Sequence, residues 1–159
     1  MLNKQTNERT QMTLSLYTAI CGKKIGSTAA ILRAPSGLER VTSATSSDRD
    51  EATMTALKQI VVAGIRGNGL EITLSTNDSY LNSMLAGEYK RMKQAGEEIE
   101  HNDLWAEIIA HLKAHDCRLK LGTFEKNELS ERAKITAQFM LQQEKAARKT
   151  EEVEEEVAS

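Results

Sequence analysis

Three sets of side chains in this 159-residue sequence have types and spacings that could do chemistry. His111 and His115 stand four residues apart, which on a helix puts two imidazoles on one face within reach of a single metal ion. No third ligand or accompanying Glu motif completes a site, and two unrelated histidines are the plainer reading. Lys90, Arg91 and Lys93 form the kind of basic cluster that grips phosphate. Glu97, Glu98 and Glu100 follow at once, so a solvated helix face accounts for the cluster without a ligand. Lys23 and Lys24, between Gly22 and Gly26, offer a second phosphate contact of low specificity. Cys21 and Cys117 make no disulfide framework and fit a reducing, cytoplasmic compartment.

Composition narrows the classes. Hydrophobic residues are 40% and charged residues 28%, a globular balance. No apolar run has the ~18 residues a membrane span needs. The first eleven residues are polar, lack an apolar signal core, and read as a flexible arm. Net charge is -2, unevenly spread: residues 144–159 hold six acidic and three basic residues, leaving 18 basic and 17 acidic residues on the other 143. A body of +1 has no global bias toward polyanions, so nucleic-acid binding requires a local patch. The acidic end reads as a solubilising tail, or as a Glu-rich helix that docks on a basic partner.

The elements that must position these groups follow from periodicity. Residues 12–18 alternate apolar and polar, a strand pattern, and residues 27–33 read as a second strand. The turn Ala34-Pro35-Ser36-Gly37 leads to a third strand over 38–45, with Leu38, Val41 and Ala44 expected inward. Ser46 and Ser47 precede an acidic first turn, and Met54, Leu57, Ile60, Val61 and Ile65 recur at helical spacing. Gly64, Gly67 and Gly69 stop that helix. A fourth strand spans 70–74. Asn77 and Asp78 are both good caps for a short helix through Leu81, Met84 and Leu85, and residues 87–94 read as a basic helix. Asn102 or Asp103 caps a helix whose apolar stripe includes Trp105, expected in the core. Residues 117–121 alternate as a fifth strand. A last helix runs from about Glu125 toward Lys149. A strand meander followed by alternating elements predicts an α/β fold, a mixed sheet with helices on both faces.

Several stretches, in this order, resemble the type 1 ribonuclease H family over roughly residues 12–140. Leu16-Tyr17-Thr18-Ala19 is similar to the family's aliphatic-aromatic-Thr-Asp strand end, and Ala30-Ile31-Leu32-Arg33 to its second strand. Leu74-Ser75-Thr76-Asn77-Asp78-Ser79-Tyr80-Leu81 is similar to its Ser-Thr-Asp-Ser-x-Tyr-Val stretch. Asn102-Asp103-Leu104-Trp105 resembles its Asn-x-Asp-Leu-Trp helix start, and Asn127-Glu128-Leu129-Ser130-Glu131 its Asn-Glu-x-x-Asp helix.

The resemblance implies a five-stranded ribonuclease H-like domain over 12–143, flanked by the arm 1–11 and the tail 144–159. It implies chemistry on nucleic acid: two magnesium or manganese ions held by four carboxylates, hydrolysing RNA in RNA–DNA hybrids. Carried over position by position, that site is degenerate. The first-strand Asp is Ala19, the first-helix Glu is Glu51, the fourth-strand Asp falls on Asn77, and the last-helix Asp is Glu131. A one-residue slip would offer Asp78 as a substitute. The family's His-bearing loop is shortened to Gly122-Thr123-Phe124-Glu125-Lys126. The resemblance also implies a basic handle at Lys90, Arg91 and Lys93 and a basic position at Arg49, although Asp48 and Asp50 flank the latter. The expectation is a non-catalytic module without cofactor, binding nucleic acid or a protein partner in a nucleic-acid-processing context. The contrasting expectation is an active ribonuclease H using Glu51, Asp78, Glu131 and Asp48 as metal ligands.

Overall fold

The computed structural model of the chain describes residues 13–158, with side chains as far as Glu151. The expected arm over 1–11 lies outside the described residues. In chain order come β1 (Thr13–Cys21), β2 (Gly26–Arg33), β3 (Glu39–Ser46), α1 (Arg49–Gly64), β4 (Glu71–Thr76) and α2 (Ser79–Ser83). A π-helical turn (Met84–Glu88), α3 (Tyr89–Ala95), α4 (Asn102–Ala114), β5 (Arg118–Leu121) and α5 (Glu128–Ala158) complete the chain. The sheet order is β3-β2-β1-β4-β5. The first three strands form an antiparallel meander, while β1–β4 and β4–β5 are parallel. The α/β mixed sheet expected from the sequence is the one observed.

Alternation along β1 divides the core between the two faces of the sheet. Leu14 and Leu16 join Leu32, Leu57, Ile60, Ile72, Leu74 and Trp105 in the main core, which α1 and α4 cover. On the other face Ala19 and Ile31 pack with Leu129 and Ala133 of α5, with Tyr17 and Phe124 at the edge. The strand β2 is buried along almost its whole length because helices cover both its faces. Each fully buried Leu or Ile contributes about 1.5–3 kcal/mol, so the large cluster supplies most of the cohesion.

Helix α1 starts where Asp48 accepts hydrogen bonds from the backbone N–H groups of Asp50 (2.9 Å) and Glu51 (3.2 Å). Its buried stripe includes Met54, Leu57, Ile60 and Val61, the residues the periodicity singled out. Trp105 is buried, as expected, and its indole N–H donates to the Tyr80 hydroxyl at 3.0 Å. Gly122 ends β5 with its N–H donating to Leu74 O at 2.7 Å. A Cβ there would stand 2.6 Å from Thr73 Cγ2 and 2.8 Å from Ser75 Oγ, so the close approach of the β5 end to β4 requires glycine.

Five local expectations are corrected. Leu38 is 77% exposed and Val41 is also exposed, because Leu38 lies in the turn before β3 and β3 is the sheet edge. Of the two candidate caps at the end of β4, Asp78 caps α2 and Asn77 does not. Neither Asn102 nor Asp103 caps α4; His101 occupies that position in the left-handed region, φ 55°, without a side-chain cap bond. The basic helix begins at Tyr89 rather than Gly87, whose φ of 144° breaks regular helical geometry. The last helix begins at Glu128 rather than Glu125, and it continues unbroken through the acidic segment to Ala158.

Candidate functional site

The carboxyl ends of the neighbouring parallel strands β1 and β4 are the place where an open α/β sheet of this topology builds a ligand site. Ala19, at the end of β1, is 1% exposed and seals against Ile31, Leu129 and Ala133. It offers no oxygen, and its surroundings are apolar. Asn77 follows β4, and its amide is committed. Its Oδ1 accepts from the Ile20 backbone N–H at 2.8 Å, and its Nδ2 donates to Ile20 O at 3.2 Å. The side chain thereby imitates a peptide group and extends the parallel β1–β4 pairing by one step.

The carboxylates come from three elements: Glu51 from α1, Asp78 from the cap of α2 and Glu131 from α5. Glu131 lies in the first turn of α5, half exposed, with Lys134 Nζ at 3.8 Å. Asp78 is 6% exposed; one oxygen caps α2 by accepting from Tyr80 N–H at 3.1 Å, and the other has no hydrogen-bond partner. Glu51 is exposed at the start of α1. Among the described residues, the ligand atoms that lie within 4.8 Å of one another in a group of three belong to Asp48, Glu51 and His101. Asp78 and Glu131 are not in that group. His101 Nε2 is 3.4 Å from Asp48 Oδ2. A pair of divalent cations needs several converging oxygens. Ala19 has none, and both polar atoms of the Asn77 amide are occupied.

Around Asp48 and Glu51 the charge is strongly negative. Burial pushes the Asp50 carboxyl above its ordinary pKa, and the charges of Asp78, Asp48 and Glu100 push it further, with His101 opposing. Three helix N-termini meet here, those of α1, α2 and α4. Their partial positive charge favours the acids whether or not a cation is present.

On the other side of α1's first turn the charge is positive. Lys23, Lys24 and Arg49 are all exposed. Arg49 packs across Gly26, where a Cβ would come within 2.7 Å of Arg49 Cα. Arg49 and Lys145 both act on the Cys21 thiol, drawing its pKa down against the stronger effect of burial, which raises it. Lys145 is a member of this patch that the sequence reading left in the tail. Only the continuation of α5 beyond Leu141 carries it there.

The expected basic handle is partly neutralised. Lys90 and Lys93 are exposed, but Arg91 ion-pairs with both Glu88 and Glu97, and these pairs hold its pKa up. The histidine pair is likewise engaged. His111 Nε2 is 2.6 Å from Ile65 O, and His115 Nδ1 is 2.9 Å from His111 O. Asp50, Glu100 and His101 are site neighbours that sequence reasoning missed. Their one signal was position, each adjoining a helix start.

Comparison with solved structures decides the fold. LC9-RNase H1, described as a type 1 RNase H with the type 2 active-site motif, aligns with a TM-score of 0.58 at 14% identity, over 77% of this chain and 68% of its own. The chain has the ribonuclease H fold. LC11-RNase H1, solved in complex with RNA/DNA hybrid, gives 0.52 at 17% identity, over 76% and 90% of the two chains. The foamy viral protease-reverse transcriptase, solved in complex with dsDNA, gives 0.56 at 13%, over 80% and 90%. No protein-family model and no curated protein matches the sequence. Among the described residues, no helix of this ribonuclease H-like domain is long and apolar enough to cross a membrane.

Proposed function

We propose that this ribonuclease H-like domain is a non-catalytic module that binds nucleic acid through the patch of Lys23, Lys24 and Arg49. The observation that carries the reading is the side-chain content at the carboxyl ends of β1 and β4: Ala19 sealed among apolar groups, and Asn77 spent on the Ile20 backbone. Hydrolysis of a phosphodiester by two metals needs an oxygen donor between them, and the first-strand position supplies a methyl group. The nucleic-acid part draws support from the exposed cations beside that point. It also draws on neighbours of the same fold solved with RNA/DNA hybrid or dsDNA. Lys90 and Lys93 would add weaker contacts.

A second reading, metal-dependent cleavage of RNA in RNA–DNA hybrid with a rearranged ligand set, is favoured by one observation, the convergence of Asp48, Glu51 and His101. One experiment separates the readings: cleavage of a labelled RNA–DNA hybrid with magnesium or manganese, with binding followed in parallel. The expected result is binding without cutting. Three or four phosphate contacts would weaken affinity roughly 40- to 150-fold between 50 and 200 mM salt. Metal-dependent cutting that disappears in Glu51→Ala would overturn the proposal. Absence of both binding and cutting at low salt would also overturn it, leaving a protein-interaction role.

A further inference from the structure

Helices α1 and α4 cover the main core together, and their cap residues, Asp48 and His101, meet at one end. Each is held by its own element. Asp48 Oδ1 accepts from the backbone N–H groups of Asp50 (2.9 Å) and Glu51 (3.2 Å), which leaves Oδ2 to face His101. The His101 carbonyl accepts from the N–H of buried Trp105 at 3.0 Å. The Glu100 carbonyl before it accepts from the Tyr80 hydroxyl at 3.2 Å.

His101 Nε2 stands 3.4 Å from Asp48 Oδ2. That is long for a hydrogen bond, whose N···O separation is about 2.7–3.2 Å. Nε2 is buried and has no hydrogen-bond partner. A buried ring nitrogen left in that state is costly. Two ligand atoms held at about 2.1 Å by one tetrahedral ion stand about 3.4 Å apart. The observed separation therefore suits a shared ion better than a direct contact. Glu51 supplies a third donor, a carboxylate oxygen within 4.8 Å of both other ligand atoms. The His101 side chain is 15% exposed and that of Asp48 51%, so the nitrogen is fixed from inside and the oxygens leave a way in from solvent.

We propose that Asp48, Glu51 and His101 bind a single zinc-class ion that ties the start of α1 to the start of α4. The donor set decides the metal. Imidazole suits zinc, copper and nickel, whereas magnesium takes oxygen ligands. One nitrogen and two carboxylate oxygens make three protein ligands, and water completes the tetrahedron. The neighbouring charges of Asp50, Asp78 and Glu100 favour a cation there. Asp48 and His101 lie outside the four positions that the ribonuclease H resemblance implies, and Ala19, Asn77 and Glu131 take no part. The inference stands whether or not the domain binds nucleic acid.

Calorimetric titration of the full chain with zinc chloride, without nucleic acid, tests the site at about pH 7.5, where an ordinary imidazole is neutral. The expected result is one ion per chain, retained in about a hundredfold excess of magnesium. His101→Asn removes the imidazole and keeps a residue type that tolerates the left-handed region. Asp48→Asn removes the charge and keeps a capping side chain. Each of these, and Glu51→Gln, should weaken zinc binding by roughly tenfold or more. His115→Ala should leave it unchanged, which separates this site from the His111–His115 pair. Zinc should also raise the melting temperature of the parent and not that of His101→Asn. No zinc binding, binding indifferent to His101→Asn, or full displacement by magnesium would overturn the proposal.

Discussion

Asn77 and Ile20 hold each other by two hydrogen bonds, Oδ1 accepting from the Ile20 N–H at 2.8 Å and Nδ2 donating to Ile20 O at 3.2 Å. An amide can do both at once, whereas a carboxylate can only accept. Asn77→Ala should therefore cost about 1–3 kcal/mol, the range for leaving part-buried backbone groups unsatisfied. Asn77→Asp should also destabilise, since it keeps the acceptor and turns a negative oxygen toward Ile20 O. Urea denaturation of both variants measures this. An Asp variant as stable as the parent would mean the amide donor is idle.

Ala19→Asp should be the most damaging single change at this end of the sheet. It buries a carboxylate among Ile31, Leu129 and Ala133, with an expected loss above about 3 kcal/mol at neutral pH. Burial raises the pKa of the new carboxyl, so the loss attributable to charge is absent below the unfolded-chain value, grows as pH rises from that value to the raised one, and is complete above it. Thermal melts across the acid range should show the variant recovering toward the parent at low pH. A loss independent of pH would assign the effect to size alone.

Asp50 gives the opposite experiment. Its pKa is raised by burial and then by Asp78, Asp48 and Glu100, so the fold disfavours its charged form. Below the pKa of the unfolded chain the group is protonated in both states and costs nothing. Above its raised folded value the penalty is complete. Asp50→Asn should raise the melting temperature at neutral pH and leave it unchanged near about pH 3. Equal gains at both pH values would rule out relief of charge as the cause.

Gly122→Ala should separate the end of β5 from β4. The added methyl meets Thr73 Cγ2 at 2.6 Å and Ser75 Oγ at 2.8 Å, an overpacking expected to cost about 1–3 kcal/mol. Hydrogen exchange should quicken first at Gly122, whose N–H donates to Leu74 O, before the central strands change.

Most of the sheet was legible because β1 and β4 alternate and α1 keeps helical spacing, signals that depend only on neighbours in sequence. The Tyr17–Thr18–Ala19 and Asn77 positions were also legible, through resemblance. Three things were not. The outward turn of Leu38 and Val41 depends on β3 being an edge, which is settled by strand order rather than by its own residues. The choice of Asp78 over Asn77 as cap depends on Ile20, 57 positions away. The gathering of Asp50, Glu100 and His101 depends on three helix starts meeting, and no local spacing encodes that.

The split of charge about the first turn of α1 gives this end of the domain two opposite electrostatic sides. Lys23, Lys24, Arg49 and Lys145 attract a polyanion on one side, while Asp48, Asp50, Asp78 and Glu100 repel it on the other. At low ionic strength such a field aligns an approaching strand before contact and biases encounters toward one heading.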